Sequence, residues 1–288
     1  MRSTKIENVS CDLIEASLNR YKVSGKIVSD KDSAMLIQFV RGEKIKIEDS
    51  GKRIFQDASE TILFEETLLG GVSPFSFSAD ASPSMSVNEQ DALGKVYQLD
   101  ISYYLVCIDL SLNEEVAKTS LYLEGVAIYP RSKISLAEKL VISSGFCCCI
   151  GEQTDFINVL VNSESDSSET GKPFTLFLEV YNYATQAVKS VEVKLSREIL
   201  AGSNEIYDII TKLDFNGVKP DKYIPSFPVN LQVPSQAIPT ADFSKFKCSY
   251  FVDVAAILQN SSDVRFRISV RVFPLRNQSI PRALRKSG

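Results

Sequence analysis

The sequence contains neither histidine nor tryptophan among its 288 residues. Histidine is the commonest general base, the commonest proton shuttle near neutral pH and the commonest zinc ligand. Its absence excludes serine or cysteine catalysis through a histidine base. Because no other catalytic signature takes its place, we predict that the chain is not an enzyme and that it holds no cofactor.

Long apolar runs are also missing. No run approaches the roughly 20 residues that a membrane-spanning helix needs, and the first residues lack the apolar core of a signal peptide. The formal net charge of -4 gives no bulk attraction to nucleic acid or to anionic lipid. These absences predict a cytoplasmic protein without a nucleic-acid partner.

Cysteine is scarce, but three of the six cysteines are consecutive: Cys147, Cys148 and Cys149. Adjacent thiols cannot form a regular disulfide framework, which agrees with a reducing compartment. Neighbouring residues of an extended chain point to opposite faces, so Cys147 and Cys149 could share a metal only with ligands from elsewhere. We interpret the triplet first as small apolar side chains entering a strand; palmitoylation and metal or redox sensing are the alternatives.

Alternation of apolar and polar residues recurs from end to end, and helical periodicity is nearly absent. In "VRFRISVRVF", residues 264–273, the valines, Phe266 and Ile268 share one face, while Arg265, Arg267 and Arg271 share the other. Turn signals such as "DFNGVKPDKY" separate these segments. The pattern predicts an all-β protein, in which residues 196–213 form either a short helix or two strands about "AGSN".

The length suits two domains better than one sandwich. The alternation is lost after Pro130 and returns after Gly151, which places the boundary between them. We predict an N-terminal β-sandwich over residues 1–135 and a C-terminal β-sandwich over residues 136–288, the second ending in a short basic tail.

Several segments, taken in chain order, resemble the arrestin superfamily. They are the hairpin and strand "YKVSGKIVSDKDSAMLIQFVRGEKIKI", the turn "GGVSPFSFSADASPSMSV", the strand "VYQLDISYYLVCIDL", the cysteine-containing "GFCCCIGEQTDFINVLV" followed by "GKPFTLFLEVYNYA", and the closing "RFRISVRVFP". Each motif is weak by itself, because alternating strands occur in any sandwich. Their order over residues 21–274 carries the resemblance.

The resemblance implies two tandem immunoglobulin-like β-sandwich domains in an arrestin-like arrangement. It implies a non-catalytic cytosolic adaptor for receptor or transporter tails, or for trafficking or ubiquitination machinery, with recruitment to the plasma membrane or endosomes and peripheral membrane association. The alternatives are an endosomal sorting protein similar to the retromer cargo-binding subunit and, from another class, a cysteine-based metal or redox sensor.

Two departures from the family pattern limit what can be carried over. The stretch "SLYLEGVAIYP" has no counterpart of the phosphate-sensing arginine of receptor-binding arrestins. The chain also has no Pro-Pro pair, and therefore no ligase-recruiting Pro-Pro-x-Tyr tail. The resemblance therefore implies neither a switch triggered by a phosphorylated receptor nor ligase recruitment by that route.

Partner binding by such a protein would be surface recognition, in which an exposed strand edge adds a peptide strand. For this role we predict a basic edge in the first domain, made of Lys22, Lys26, Arg41, Lys44 and Lys46. Arg265, Arg267 and Arg271 form a second candidate, because guanidinium groups bind phosphate and carboxylate with two hydrogen bonds. A solvated strand face is the alternative for these arginines.

The acidic, serine-rich "NSESDSSETG", residues 162–171, is predicted as a solvated hairpin loop. Ser163 has an acidic residue three positions further on, so phosphorylation is the alternative function of this loop.

Overall fold

The computed structural model describes residues 4–15, 19–30, 32–91, 93–123, 132–142, 155–243, 245–259 and 263–274. Over these ranges the chain forms eighteen strands and no helix, which confirms the all-β prediction. The described residues divide into two compact units, residues 4–123 and residues 132–274. The sheets pack as sandwiches. The division into two units agrees with the predicted two-domain organisation.

The first unit contains eight strands in two antiparallel sheets. Their bounds are β1 Lys5–Glu15, β2 Arg20–Val28, β3 Met35–Asp49, β4 Lys52–Leu68, β5 Val72–Asp80, β6 Met85–Gln90, β7 Val96–Asp109 and β8 Glu114–Leu121. One sheet has the order β1-β2-β5. The other has the order β4-β3-β7, and both β6 and β8 pair with the remaining side of β7, at different stretches of it.

Alternation builds the core of this unit. On β7, Leu99, Ile101 and Leu105 point inward and are at most 1% exposed. The ring of Phe39 on β3 lies 5.7 Å from that of Phe77 on β5, which joins the two sheets. Each fully buried side chain of this size contributes about 1.5–3 kcal/mol of transfer free energy. The core of this unit therefore draws its stability from many such side chains, contributed by both sheets.

The second unit contains ten strands. Their bounds are β9 Ile134–Ile142, β10 Asp155–Ser163, β11 Ser167–Glu169, β12 Pro173–Asn182, β13 Val188–Ala201, β14 Asn204–Val218, β15 Lys222–Gln232, β16 Ala241–Asp242, β17 Phe246–Leu258 and β18 Val264–Phe273. One sheet has the order β15-β12-β10-β9 and the other β11-β18-β17-β13-β14, with β16 beside β17. The pairing of β11 with β18 is parallel.

Two glycines allow close approaches that a larger residue would prevent. A Cβ atom at Gly217 would lie 1.9 Å from the carbonyl oxygen of Val188, next to the bulge between β13 and its neighbours. A Cβ atom at Gly25 would lie 2.7 Å from the ring of Phe75. In both places another strand or ring occupies the space of the missing side chain.

Two segments clarify what alternation predicts. Residues 196–213 belong to two strands, since β13 ends at Ala201 and β14 begins at Asn204. Gly202 takes the positive φ of the turn between them. Strand β9 lies in the segment where the alternation is lost. It is an edge strand whose side chains are mostly exposed, so its sequence shows no buried face. The boundary predicted between residues 135 and 136 falls inside β9.

Candidate functional site

The five basic residues predicted to form an edge of the first domain lie on two interior strands. Lys22 and Lys26 are on β2, which has β1 on one side and β5 on the other. Arg41, Lys44 and Lys46 are on β3, between β4 and β7. The prediction of a basic edge is therefore wrong. Alternation identifies a strand but does not reveal its neighbours in the sheet.

Acidic partners compensate three of these five charges. The ammonium group of Lys26 lies 3.5 Å from Glu7, and that of Lys46 lies 2.9 Å from Glu48. Arg41 lies 2.6 Å from Glu43, which is only 1% exposed. Lys22 and Lys44 are exposed. Because the five residues are divided between two sheets, they do not form one cationic surface.

The three arginines of β18 are each held by a carboxylate. Arg265 lies 2.6 Å from Asp263, and Arg271 lies 2.6 Å from Asp166. Arg267 contacts two carboxylates, those of Asp253 and Glu198. The predicted anion-binding stripe is therefore already neutralised within the molecule.

Arg267 and its partners occupy the outer face of the β14-β13-β17-β18 sheet, which we call the charged face. The charged face surrounds an open cavity of about 460 Å³. It is lined by Glu192, Lys194, Tyr207, Asp253, Arg265 and Arg267.

Asp253 is the centre of this face. Its carboxylate accepts hydrogen bonds from the Ser196 hydroxyl at 2.5 Å, from the Tyr207 hydroxyl at 3.2 Å and from Arg267 at 2.6 Å. Arg267 also donates to Glu198 at 2.5 Å. The hydrogen bond to Asp253 raises the pKa of Arg267 above its ordinary value. A carboxylate bound in this way is a poor general base, because abstracting a proton would break the network.

A second ion-pair group extends the charged face. The Glu192 carboxylate lies 2.7 Å from Lys194 and 3.3 Å from Lys212. Its pKa is lowered, chiefly by the hydrogen bond from Lys194. An incoming anion would have to displace a carboxylate that is already in place, so the charged face is a structural network and a poor anion site.

The acidic, serine-rich segment is packed against the sandwich. Residues of β11 pair with β18, Ser167 opposite Arg271. Ser163 is 6% exposed, and its hydroxyl oxygen lies 2.8 Å from the carbonyl oxygens of both Ser165 and Thr175, to either of which it can donate its one proton. The prediction of a solvated hairpin loop is wrong. Phosphorylation of Ser163 would require this part of the unit to open.

Cys147, Cys148 and Cys149 lie outside the described residues. The three other cysteines, Cys11, Cys107 and Cys248, are on β1, β7 and β17. Cys107 and Cys248 are buried. Burial raises the pKa of Cys11 and of Cys107 to about 11, so little reactive thiolate is present near neutral pH. Within the described part of the chain, no group of metal-binding side chains could hold an ion.

An apolar surface that the sequence reasoning missed lies on the outer face of the β4-β3-β7 sheet. Val40, Tyr104 and Val106 form a cluster apart from the sandwich core, with Ile108 packed against it. An open cavity of about 400 Å³ is lined by Val40, Val106 and Ile108 and extends to Ile62. We call this surface the outer-face groove. The signal was present in the sequence, because alternation stops after Ser102 and the next six residues of β7 are all apolar or aromatic.

A second missed feature is the edge formed by β4. This strand is seventeen residues long. In the residues that the structure describes, β4 pairs with β3 and has no sheet neighbour on its other side. Edge strands of this length present a row of main-chain donors and acceptors.

Comparison with known proteins assigns the chain to no group. No protein-family model matches the sequence, and no curated protein matches it significantly. No helix in the described ranges is long and apolar enough to cross a membrane. The function must therefore be argued from the residues and their geometry.

Proposed function

We propose that this chain is a non-catalytic, arrestin-like adaptor that binds segments of partner proteins, namely the tails of membrane-protein cargo or components of the trafficking machinery. The immunoglobulin-like and arrestin-like arrangement of the sandwiches and the cytoplasmic location are parts of this proposal. Two all-β units and the ordered arrestin-like motifs support it. The chemistry of the charged face and of the thiols also favours recognition over catalysis.

The open edge of β4 is the observation that carries the proposal. A partner peptide in extended conformation can add to such an edge through main-chain hydrogen bonds, and its side chains then supply specificity. Exposed carboxylates at Glu60, Glu65 and Glu66 lie along β4. Charged side chains of this kind prevent indiscriminate edge-to-edge aggregation while leaving the edge open to a matching peptide.

Affinity purification from the native cell tests this proposal, with partners identified by mass spectrometry. Two neighbouring variants, Ala58→Pro and Ser59→Pro, give a matched pair. Successive N–H groups of a strand point to opposite sides, so one proline removes a donor from the open edge and the other removes one from the pairing with β3. The thermal midpoint of unfolding distinguishes the two variants, because only the proline that removes a hydrogen bond to β3 should destabilise the sheet.

We expect the wild-type chain to recover a reproducible set of partners, and the stably folded proline variant to lose those that bind by strand addition. Recovery of chaperones alone, or turnover of a small-molecule substrate by the purified chain, would refute the adaptor proposal. Unchanged recovery by the stable proline variant would remove β4 as the binding edge.

A further inference from the structure

The outer-face groove has an apolar floor and an apolar side. Val40 and Val106 are 3% and 6% exposed although they point away from the sandwich core. Ile62 on the neighbouring β4 is 51% exposed. The exposed apolar surface of the groove therefore lies at Ile62 on β4, and exposed apolar surface commonly marks an interaction site.

The rim of the outer-face groove is acidic. Glu60 and Glu115 line it, and Lys118 is the one cation among the described lining residues. The Lys118 ammonium lies 3.7 Å from the centre of the Tyr104 ring, which draws its charge towards the sheet. On β4, Glu65 accepts a hydrogen bond from Gln38 at 3.1 Å and adds a further negative charge near the groove. A cationic partner would complement this rim.

The backbone arrangement determines the conformation of the partner. Strands β3 and β7 have hydrogen-bonded neighbours on both sides, so the groove offers side chains only. An extended peptide lying on it would leave its own N–H and C=O groups unpaired, whereas a helix pairs them internally. Four strands, β4, β3, β7 and β8, at about 4.8 Å spacing span about 14 Å, which is wide enough for a helix of roughly 10–12 Å diameter.

We propose that the outer-face groove binds a basic amphipathic helix of a partner protein. The apolar stripe of the helix packs on Ile62 and Ile108, the accessible part of a floor that also contains the buried Val40 and Val106. Its lysine or arginine side chains reach Glu60 and Glu115. This inference rests on the proposed adaptor function and names one class of partner for it. The site is distinct from the open edge of β4, where an extended segment would bind.

The probe is a synthetic helix of about 18 residues, with leucine at positions i, i+3, i+4 and i+7 and lysine elsewhere. A second peptide carries glutamate in place of lysine. Calorimetric titration of the full chain is expected to detect the lysine peptide and not the glutamate peptide. The Ile62→Asp variant should weaken binding about ten-fold or more, because it places a charge in the apolar contact.

Ile14→Asp is the matched control, since Ile14 on β1 is 52% exposed, almost the same as Ile62. It should bind the lysine peptide as the wild-type chain does. The double variant Glu60→Lys and Glu115→Lys should reverse the preference between the two peptides. This second measurement keeps the test valid if Ile62→Asp fails to fold.

Three outcomes overturn the inference: equal binding of both peptides, no binding of either, and unchanged binding by Ile62→Asp. Tighter binding after removal of residues 275–288 would show that the basic tail of the chain itself occupies the groove, which also contradicts a partner helix. If Ile62→Asp recovers the native partners as well as the wild-type chain does, the groove is refuted while the adaptor function stands. Recovery of no partner by either chain refutes the adaptor function instead.

Discussion

The charged face of the second unit and the outer-face groove of the first are equivalent surfaces with opposite designs. Each is the outer side of an antiparallel sheet with interior strands. On the charged face, Asp253 and Glu198 bind Arg267, so polar side chains satisfy one another. In the groove, the interior strands direct Val40 and Val106 outward. A sheet face is open to a partner only where its side chains have not already found partners within the sheet.

The largest expected effect on stability comes from the inner side of the sheet that carries the charged face. Arg197 is fully buried, and its guanidinium donates to Asp208 at 2.9 Å. Asp208→Ala removes that carboxylate from a buried cation and should lower the free energy of unfolding by about 3 kcal/mol or more. Urea denaturation followed by far-UV circular dichroism measures this change.

Asp214→Ala is the control on the same strand, because Asp214 is 56% exposed where it pairs with Lys212. Surface pairs of this kind contribute at most about 1 kcal/mol. Equal destabilisation by the two variants would show that burial does not determine the strength of the ion pairs in this sheet.

A smaller effect should distinguish the two outer faces. Asp253→Ala removes the acceptor of three donors, including the buried Ser196 hydroxyl. We expect a loss of about 2 kcal/mol, since unsatisfied buried donors are costly. Glu60→Ala on the rim of the groove should change stability by less than about 0.5 kcal/mol. Comparable losses in thermal or urea unfolding would contradict the contrast between the faces.

The groove itself should tolerate a charge. Ile62→Asp alters a side chain that is already half exposed, so we expect a change within about 0.5 kcal/mol in stability together with the loss of peptide binding described above. A drop in the thermal midpoint as large as that of Asp253→Ala would mean that Ile62 is part of the core packing and not a contact for partners.

The smallest effect is the dependence on pH. In the second unit the pKa values of Asp155, Glu192 and Asp263 are lowered by hydrogen bonds from Thr185, Lys194 and Arg265, respectively. In the first unit Asp80 is lowered by Arg20. A lowered carboxyl pKa stabilises the fold above the ordinary pKa, and this contribution is lost as the pH falls through the lowered value.

Below about pH 4 the second unit should therefore lose more protection than the first. Hydrogen exchange measured by mass spectrometry at pH 7 and pH 3, corrected for the intrinsic rate, compares the two units within one sample. Greater loss of protection in the first unit would reverse the expected order.

Alternation predicts strands well and their surroundings poorly. The arginines of β18 do point outward as the pattern indicates, since Val264, Ile268 and Val270 are buried. The partner of Arg267 could not be predicted, because this residue meets Glu198 across 69 positions of sequence and only through the order of the sheet. The edge predicted for Lys22 and Lys44 failed for the same reason. Sheet order is a tertiary property that no local pattern contains.

The outer-face groove shows a different limit. A run of apolar residues on β7 indicates that both faces are apolar, but it cannot show whether a second layer covers the outer one. For the acidic segment the composition predicted a solvated loop, whereas Asp166 and Ser167 are held by β18. A polar composition therefore does not show whether a segment is exposed to solvent unless its neighbouring strands are known.

The parallel pairing of β11 with β18 has a consequence for synthesis of the protein. Asp166 and Arg271, joined at 2.6 Å, are 105 positions apart. Contacts of such long sequence separation form slowly, because closing a long loop costs conformational entropy before the contact can offset it. A nascent chain leaving the ribosome cannot complete this sheet until β18 has emerged. Premature termination within that strand would therefore yield a product that chaperones and proteases recognise.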